Sequence, residues 1–489
     1  MSLLRFSSPL RFALCVGACL GLSPAAGAFY LPIGFGRVAD PKPLSAPDCT
    51  QPTDPLELAL WRVVTSQGRA DLSCNNSFVE YQRTPRSAQN PQNAFDKIAE
   101  QIRGAKTEVL LTTMEWHAGV GHPGYSFAQA VADLYAKVRA NPSAYPQGMH
   151  IRLALGGFPE LSGPDGGAYA LAVVRDLRSL GVPLSDTALN WQVAVMNYPY
   201  LPHSHVKLHV IDGEDLTVAG FNYTDWHLTR AEAGGHDLHD LGLRMRGPIA
   251  QQGVAVFDDI WRHSKQIGCP AEVAPAEVKS QCWIGDADPV SHPDAVRHAV
   301  SSGTARAFLL YRRAGDRLAD RAIENLFTAA QSQIDLMEAD FSSSVPCWLA
   351  YVNPTGCESD TFPVYMTALL DAMERGVHVR LLTVNYGYGA YANRAGIALM
   401  RDEAKKRGLE KFFDARYVKF DMHTKAFTVD HRVVVAGSSN MHFSSWSLYG
   451  LSEANLATSD PAAVQEQEDS FEEVWNKESV AVPLESWQK

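Results

Sequence analysis

Basic residues are in deficit. Lysine and arginine number 43 against 54 aspartates and glutamates, a formal charge of −11 at neutral pH. Non-specific nucleic-acid binders usually need a basic face, so this balance argues against one, although a small basic cleft can sit on an acidic protein. Long apolar runs are also scarce, and beyond residue 28 none is long enough to span a bilayer. The eight cysteines show no Cys-x-x-Cys spacing, which leaves no zinc signature. No carboxylate cluster for a divalent ion is visible either, so neither a metal nor a cofactor is expected.

What is present is enough for two domains. The chain has 489 residues, 46% of them hydrophobic, which supports two substantial cores. Residues 1–28 read as a secretory signal: Arg5 and Arg11 are basic, Phe12 to Leu22 is apolar, and Ala26-Gly27-Ala28 is a small-residue cleavage site. Val16-Gly17-Ala18-Cys19 offers a lipoprotein site instead, but apolar residues continue past Cys19. Cleavage near Ala28 would make the protein secreted or periplasmic. Six cysteines remain after it, and proximity pairs them as Cys49–Cys74, Cys269–Cys282 and Cys347–Cys357, one of 15 connectivities.

One stretch occurs twice. His205-Val-Lys207 is followed by Asp212 and Asn222, and His423-Thr-Lys425 by Asp430 and Asn440, at the same offsets. Apolar and β-branched residues make each stretch strand-like. Alternate strand residues share a face, so each His and its Lys point the same way. Asp212 and Asp430 have the other parity and start turns, which reads as scaffolding. The surroundings repeat as well: Gly148-Met-His-Ile-Arg-Leu153 returns as Gly376-Val-His-Val-Arg-Leu381, each between helical patterns. Alternating strands and helices in both halves predict a duplicated α/β fold.

The expected organisation is a signal over 1–28, an irregular extension over 29–90 packed on the first domain, and a first domain over 91–264. A disulfide-clipped linker over 265–300 and a second domain over 301–489 follow. Cys347 and Cys357 bound an insertion, 342–362, in the second domain.

The duplicated His-x-Lys-x4-Asp motif resembles that of the phospholipase D superfamily. The resemblance covers about Asn93 to Ala457 and is closer in the second copy, where Gly437-Ser438-Ser439-Asn440 precedes Glu453. The first copy has Ala219-Gly220 in place of Gly437-Ser438 and lacks that hydroxyl. The resemblance implies two tandem α/β domains related by pseudo-two-fold symmetry, with mixed sheets flanked by helices and one active site at their interface. It makes His205, Lys207, Asp212, His423, Lys425 and Asp430 the catalytic set. Asn222, Asn440 and Ser438 fall at the substrate. The family orients each His with a carboxylate downstream in sequence, and Glu453 and Asp240 match best, with Asp237 second to Asp240.

The chemistry follows from the residue types. Two lysines and two asparagines can hold the non-bridging oxygens of one phosphate. One His attacks phosphorus while the other protonates the leaving alcohol and then activates water or an acceptor alcohol. The resemblance implies His205 as nucleophile and His423 as acid. His209, His227, His236 and His442 read as core, surface or supporting groups, and Glu115 and Asp340 as loop caps.

The resemblance therefore implies an exported phospholipase D-type phosphodiesterase, hydrolysing or transferring the phosphatidyl group of a glycerophospholipid through a phosphohistidine. A nuclease, a cardiolipin-synthase-like phosphatidyltransferase and a non-catalytic binding protein are the alternatives. The expected partner is phospholipid at a membrane or micelle surface, with no nucleic acid, and the chain is expected to be monomeric. Trp116, Tyr198, Tyr200, Trp348, Tyr351, Tyr386, Tyr388 and Tyr391 are expected near the cleft, where aromatic groups suit a lipid interface.

Overall fold

Apolar runs alternating with helical segments become two mixed sheets in the computed structural model, which describes residues 49–66, 71–156, 168–198, 202–285, 300–344, 347, 361–387 and 389–483. The signal, Tyr200, Trp348, Tyr351, Tyr388 and Cys357 lie outside the described residues, and with Cys357 the third expected disulfide.

The first half supplies β1 (Ser77–Thr84), β2 (Glu108–Thr113), β3 (Met149–Leu155), β4 (Ser185–Asp186) and β5 (Trp191–Asn197). It continues with β6 (Leu208–Ile211), β7 (Asp215–Ala219), β8 (Asp240–Arg246), β9 (Lys265–Gly268) and β10 (Trp283–Ile284). Their order is β1-β8-β7-β6-β2-β3-β5-β9-β10, with β4 beside β5. The second half supplies β11 (Ala307–Arg312), β12 (Gln333–Glu338), β13 (His378–Thr383) and β14 (Phe413–Val418). To these it adds β15 (Lys425–Val429), β16 (Val433–Gly437), β17 (Glu453–Thr458) and β18 (Ser479–Ala481). The second order is β11-β17-β16-β15-β12-β13-β14-β18. Its order follows that of the first from β1 to β9, without counterparts of β4 and β10, and β2-β3-β5 and β12-β13-β14 are the parallel centres. Helices such as Ala94–Gly104, Pro123–Ala140, Leu318–Ala329 and Val364–Glu374 flank the sheets. The fold is α/β, as the alternating pattern predicts.

Two placements differ from the sequence expectation. Helix Pro55–Val64 begins at an Asp54 cap with proline in its first turn, a start signal hidden in a polar stretch. Its Leu56, Leu60 and Val63 join Leu318, Ile323 and Leu326 in the core of the second half, so this part of the extension does not pack on the first domain. Each leucine so buried contributes about 1.5–3 kcal/mol. The segment after it does reach the first sheet, as edge strand β1 beside β8. The expected linker is partly sheet, because β9 pairs with β5 and β10 with β9. A further helix, Gly389–Arg407, follows shortly after Gly387, whose φ is +68°. Cys49–Cys74 and Cys269–Cys282 are disulfides, with Cα separations of 5.5 and 4.3 Å.

The halves meet along an alanine-rich seam. Ala307, Ala426, Ala436 and Ala454 pack with Leu208, Val218, Leu243 and Phe257 in one buried cluster, and small side chains let the sheets approach closely. Tyr311 of the second half donates to Asp259 of the first at 2.8 Å. At the rim of this seam the two motifs come together.

Candidate active site

Backbone bonds cross the seam first. His205 N–H donates to the carbonyl of Ser452 at 2.9 Å, and His423 N–H to that of His239 at 2.7 Å. Ser452 directly precedes Glu453, and His239 directly precedes Asp240, so each histidine is set beside the carboxylate that opens a strand of the other half. Side chains complete the crossing. His205 Nδ1 is 2.8 Å from Glu453 Oε2, and His423 Nδ1 is 2.7 Å from Asp240 Oδ2. Glu453 and Asp240 are the two carboxylates picked from the sequence, but each is exchanged between halves. Asp237 sits instead in a turn, φ +55°, where it accepts from Arg230 N–H. Glu453 as a carboxylate only accepts, so His205 Nδ1 carries its proton and the neutral ring leaves its Nε2 lone pair available, whereas His423 Nδ1 lies between Asp240 Oδ2 and Lys425 Nζ, 2.7 Å from each.

The lysines lie beneath. Lys207 Nζ donates to His205 O at 3.0 Å, and Lys425 Nζ donates to His423 O. Both are buried, beside the buried Asp240 and Glu453. Lysines and carboxylates of opposite sign side by side make such a buried cluster tolerable. Burial, opposed by Glu453 and aided by the charge of Lys425, brings the Lys207 ammonium down to about 7. Burial first, then the two lysines, hold both catalytic-motif histidines well below the ordinary imidazole value. Burial raises Glu453 and Asp240, with Lys207 and Lys425 respectively opposing.

The motif aspartates lie elsewhere, as their parity indicates, and do not belong in the catalytic set. Both are left-handed, at φ +55° and +52°. Asp212 accepts from Lys106, Thr107 and Glu108 backbone N–H, and Asp430 from those of Gln331, Ser332 and Gln333. Each clasps the start of the central strand, β2 or β12.

Ser438 also differs from its expected place at the substrate. Its hydroxyl donates to Glu453 Oε2 at 2.6 Å and accepts from Ala454 N–H at 3.0 Å, so it is committed behind the carboxylate. In the first half Gly220 touches Asp240, and a Cβ there would come 2.3 Å from Oδ1. The missing hydroxyl is thus replaced by contact with the carboxylate itself. Asn222 is buried, accepting from Thr113 Oγ1 at 3.2 Å. Asn440 Oδ1 is buried without a hydrogen-bond partner among the described residues.

Residues 325–475 match the family described as "Cardiolipin synthase, PLD-like domain". The second half is thus phospholipase D-like over these residues. Curated proteins give no match. Among solved structures, phosphatidylserine synthase of Haemophilus influenzae Rd KW20 aligns with TM-score 0.54 at 12% identity, over 83% of this chain and 87% of its own, a likeness of fold. Nuc, a phospholipase D family member from Salmonella typhimurium, covers 36% of this chain and 98% of its own, at 18% identity and TM-score 0.28. Polyphosphate kinase from Porphyromonas gingivalis covers 83% and 49%, at 13% identity and TM-score 0.43.

Several residues around the site escaped sequence reasoning. Of the surface and supporting readings of His227 the structure has the supporting one, with the ring buried and 5.9 Å from that of His423. Glu115 is not only a loop cap: Asn222 Nδ2 lies 3.4 Å from its Oε2, and burial raises its carboxyl while Lys207 opposes. Asp340 acts electrostatically on His423 and Lys425. Arg312, paired with Glu453 across β11 and β17, donates to Leu451 O at 2.6 Å and steadies the approach to that carboxylate. Trp116 and Tyr198 are buried instead of displayed, Trp116 stacking on Tyr223 at 4.7 Å, whereas Tyr386 and Tyr391 are exposed. His227, Asp240 and His423 have a spacing that could hold a metal ion, but Lys425 Nζ stands 3.9 Å from Asp240 and opposes a second cation there. The other such group among the described residues is His117, His122 and Asp225.

Among the described residues no helix is long and apolar enough to cross a membrane.

Proposed function

We propose that the chain is an exported phospholipase D-type enzyme that transfers a phosphatidyl group to water or to an alcohol through a phosphohistidine. The observation that carries this reading is the crossed pair, His205 on Glu453 and His423 on Asp240, set over two buried lysines. Burial and the lysines keep His205 neutral, and its Nδ1–H donates to Glu453, so Nε2 is a nucleophile at neutral pH. Attack forms an N–P bond and breaks the bond from phosphorus to the head-group oxygen, which leaves with a proton from His423. Lys207, Lys425, Asn222 and Asn440 hold the non-bridging oxygens. Water or an alcohol then gives its proton to His423 and attacks phosphorus, releasing His205.

Exposure supports this division of labour. The His423 side chain is 30% exposed and that of His205 8%, and the acid–base must meet both leaving group and water. An arriving phosphodiester anion favours the protonated form of His423. The same site could cleave a nucleic-acid diester, but the charge of −11 disfavours that substrate.

The deciding experiment incubates the purified protein with phosphatidylcholine vesicles, with and without ethanol, beside a plasmid-DNA control. Choline release is expected, and phosphatidylethanol would establish transfer. DNA cleavage without lipid turnover would overturn the reading.

A further inference from the structure

After Trp116 the chain makes a short loop, His117-Ala-Gly-Val-Gly-His122, before helix Pro123–Ala140 begins. Gly119 and Gly121 have φ of +98° and +88°, which side-chain-bearing residues seldom adopt. The loop therefore doubles back, and its two histidines converge on one carboxylate. His122 Nδ1 lies 2.7 Å from Asp225 Oδ1, and His117 Nδ1 lies 3.0 Å from Asp225 Oδ2. The three ligand atoms are all within 4.8 Å of one another.

Asp225 is buried while both rings are partly exposed. Among the described residues no lysine or arginine forms an ion pair with Asp225, whose carboxylate faces the two imidazoles. Asp176 adds a second buried carboxylate nearby, which accepts from Gly119 N–H at 2.9 Å and interacts with Arg175, whose Nε is 3.9 Å away, and with His122. The site thus sets two imidazole nitrogens against the buried Asp225 carboxylate.

We propose that His117, His122 and Asp225 bind a divalent transition-metal ion, zinc by the chemistry of its ligands, separately from the phosphodiester site. Two imidazoles and one carboxylate make a nitrogen–oxygen set that zinc accepts and that calcium and magnesium, with their preference for oxygen, do not. Zinc with bonds of about 2.0–2.1 Å holds tetrahedral ligand atoms roughly 3.3 Å apart. The present 2.7 and 3.0 Å contacts need to open by only a few tenths of an ångström, which partly exposed rings can do by rotating. One bond must be given up, from Asp225 N–H to His117 Nδ1 at 3.2 Å. The ion would staple the loop to the segment after Asn222. It would also fix two displayed apolar groups, Val120, 80% exposed, and Trp226, 47% exposed, whose ring is edge-on to His117 at 6.3 Å.

The test strips the full-length protein with chelator and titrates it with Co²⁺ and then Zn²⁺. One tight equivalent is expected, with visible Co²⁺ absorption and a raised melting temperature, in the wild type and equally in His423→Ala. A double variant, His117→Gln with His122→Gln, should weaken binding by at least about tenfold, with its far-UV circular dichroism unchanged. If that variant misfolds, His122→Gln alone gives the same reading, since its ring is at the surface. Absence of binding in the wild type would overturn the proposal. So would binding lost in His423→Ala and retained in the His122 variant, because the ion would then belong to the group formed by His227, Asp240 and His423.

Discussion

Glu453 Oε2 lies 2.8 Å from Nδ1 of His205, a residue 248 positions earlier, while Asp240 of the first half serves His423. Neither half holds a complete catalytic pair, and this makes the two chemical steps separable.

Glu453→Gln and Asp240→Asn are each expected to lower turnover at least about a hundredfold, the scale of losing general acid–base or nucleophile support. Their leaving-group dependence should differ. A nitrophenol ester needs no proton on departure, so it should recover much of the activity of Asp240→Asn and little of that of Glu453→Gln. The opposite pattern would assign the nucleophile to His423.

Gly220 and Ser438 occupy matching places behind the two carboxylates and should tolerate different changes. Gly220→Ala puts a Cβ 2.3 Å from Asp240 Oδ1 and should cost about 1–3 kcal/mol of stability, with activity falling as Asp240 shifts. Ser438→Ala leaves the buried Glu453 short of one donor and should cost about 1–3 kcal/mol without a steric clash. Denaturant unfolding beside activity measures both. An unaffected Gly220→Ala would contradict the close contact.

Lys207, brought down to about 7 by burial, is half charged near neutrality. An anionic diester needs the charged form, so kcat/KM should fall as pH rises above about 7, by up to about tenfold per unit. Lys207→Arg, whose guanidinium stays charged, should show a lower maximum and no such alkaline limb. A wild-type profile flat to about pH 9 would refute the assignment.

His209, buried against the Tyr223 hydroxyl, has a value of about 3 because of burial. An unfolded chain holds a proton on it below about 6.5. Its contribution to stability is therefore complete above about pH 6.5 and is lost as pH falls toward 3, by up to about 1.4 kcal/mol per unit. His209→Gln should be less stable than wild type near pH 7.5 yet lose less on acidification to about pH 5. Parallel melting curves across that range would exclude the group as a source of acid lability.

Turnover of a short, soluble phosphodiester is expected to survive thorough chelation, because the phosphate-facing groups are histidine, lysine and asparagine. Activity abolished by a chelator and restored by one divalent ion would overturn that view. A chelator that lowers only the melting temperature is what an ion at His117 would produce.

Much of this was legible in local spacing. The paired offsets of His, Lys, Asp and Asn marked the site, and parity set Asp212 and Asp430 aside as turn clasps. Glu453 and Asp240 were visible as candidates, yet their exchange between halves was not, since no local pattern says which of two equivalent partners a strand end will meet. Ser438 was misplaced because its commitment depends on Glu453 folding back onto it. His117, His122 and Asp225 were invisible for a related reason: two loops more than a hundred residues apart supply them, and neither has a periodicity to read. The Asp54-Pro55 start of the first helix was readable, but its destination was not.

That helix sets an order of events during synthesis. Leu56, Leu60 and Val63 leave the ribosome early, while Leu318, Ile323 and Leu326, against which they pack, follow more than 250 residues later. The apolar stripe must wait, uncovered, while the whole first sheet is made. A nascent chain in that condition is a client for a holdase, and the long-range pairing slows the final closure. This helix, made before its partners, thus docks only once they follow, and its docking reports that the second half has arrived.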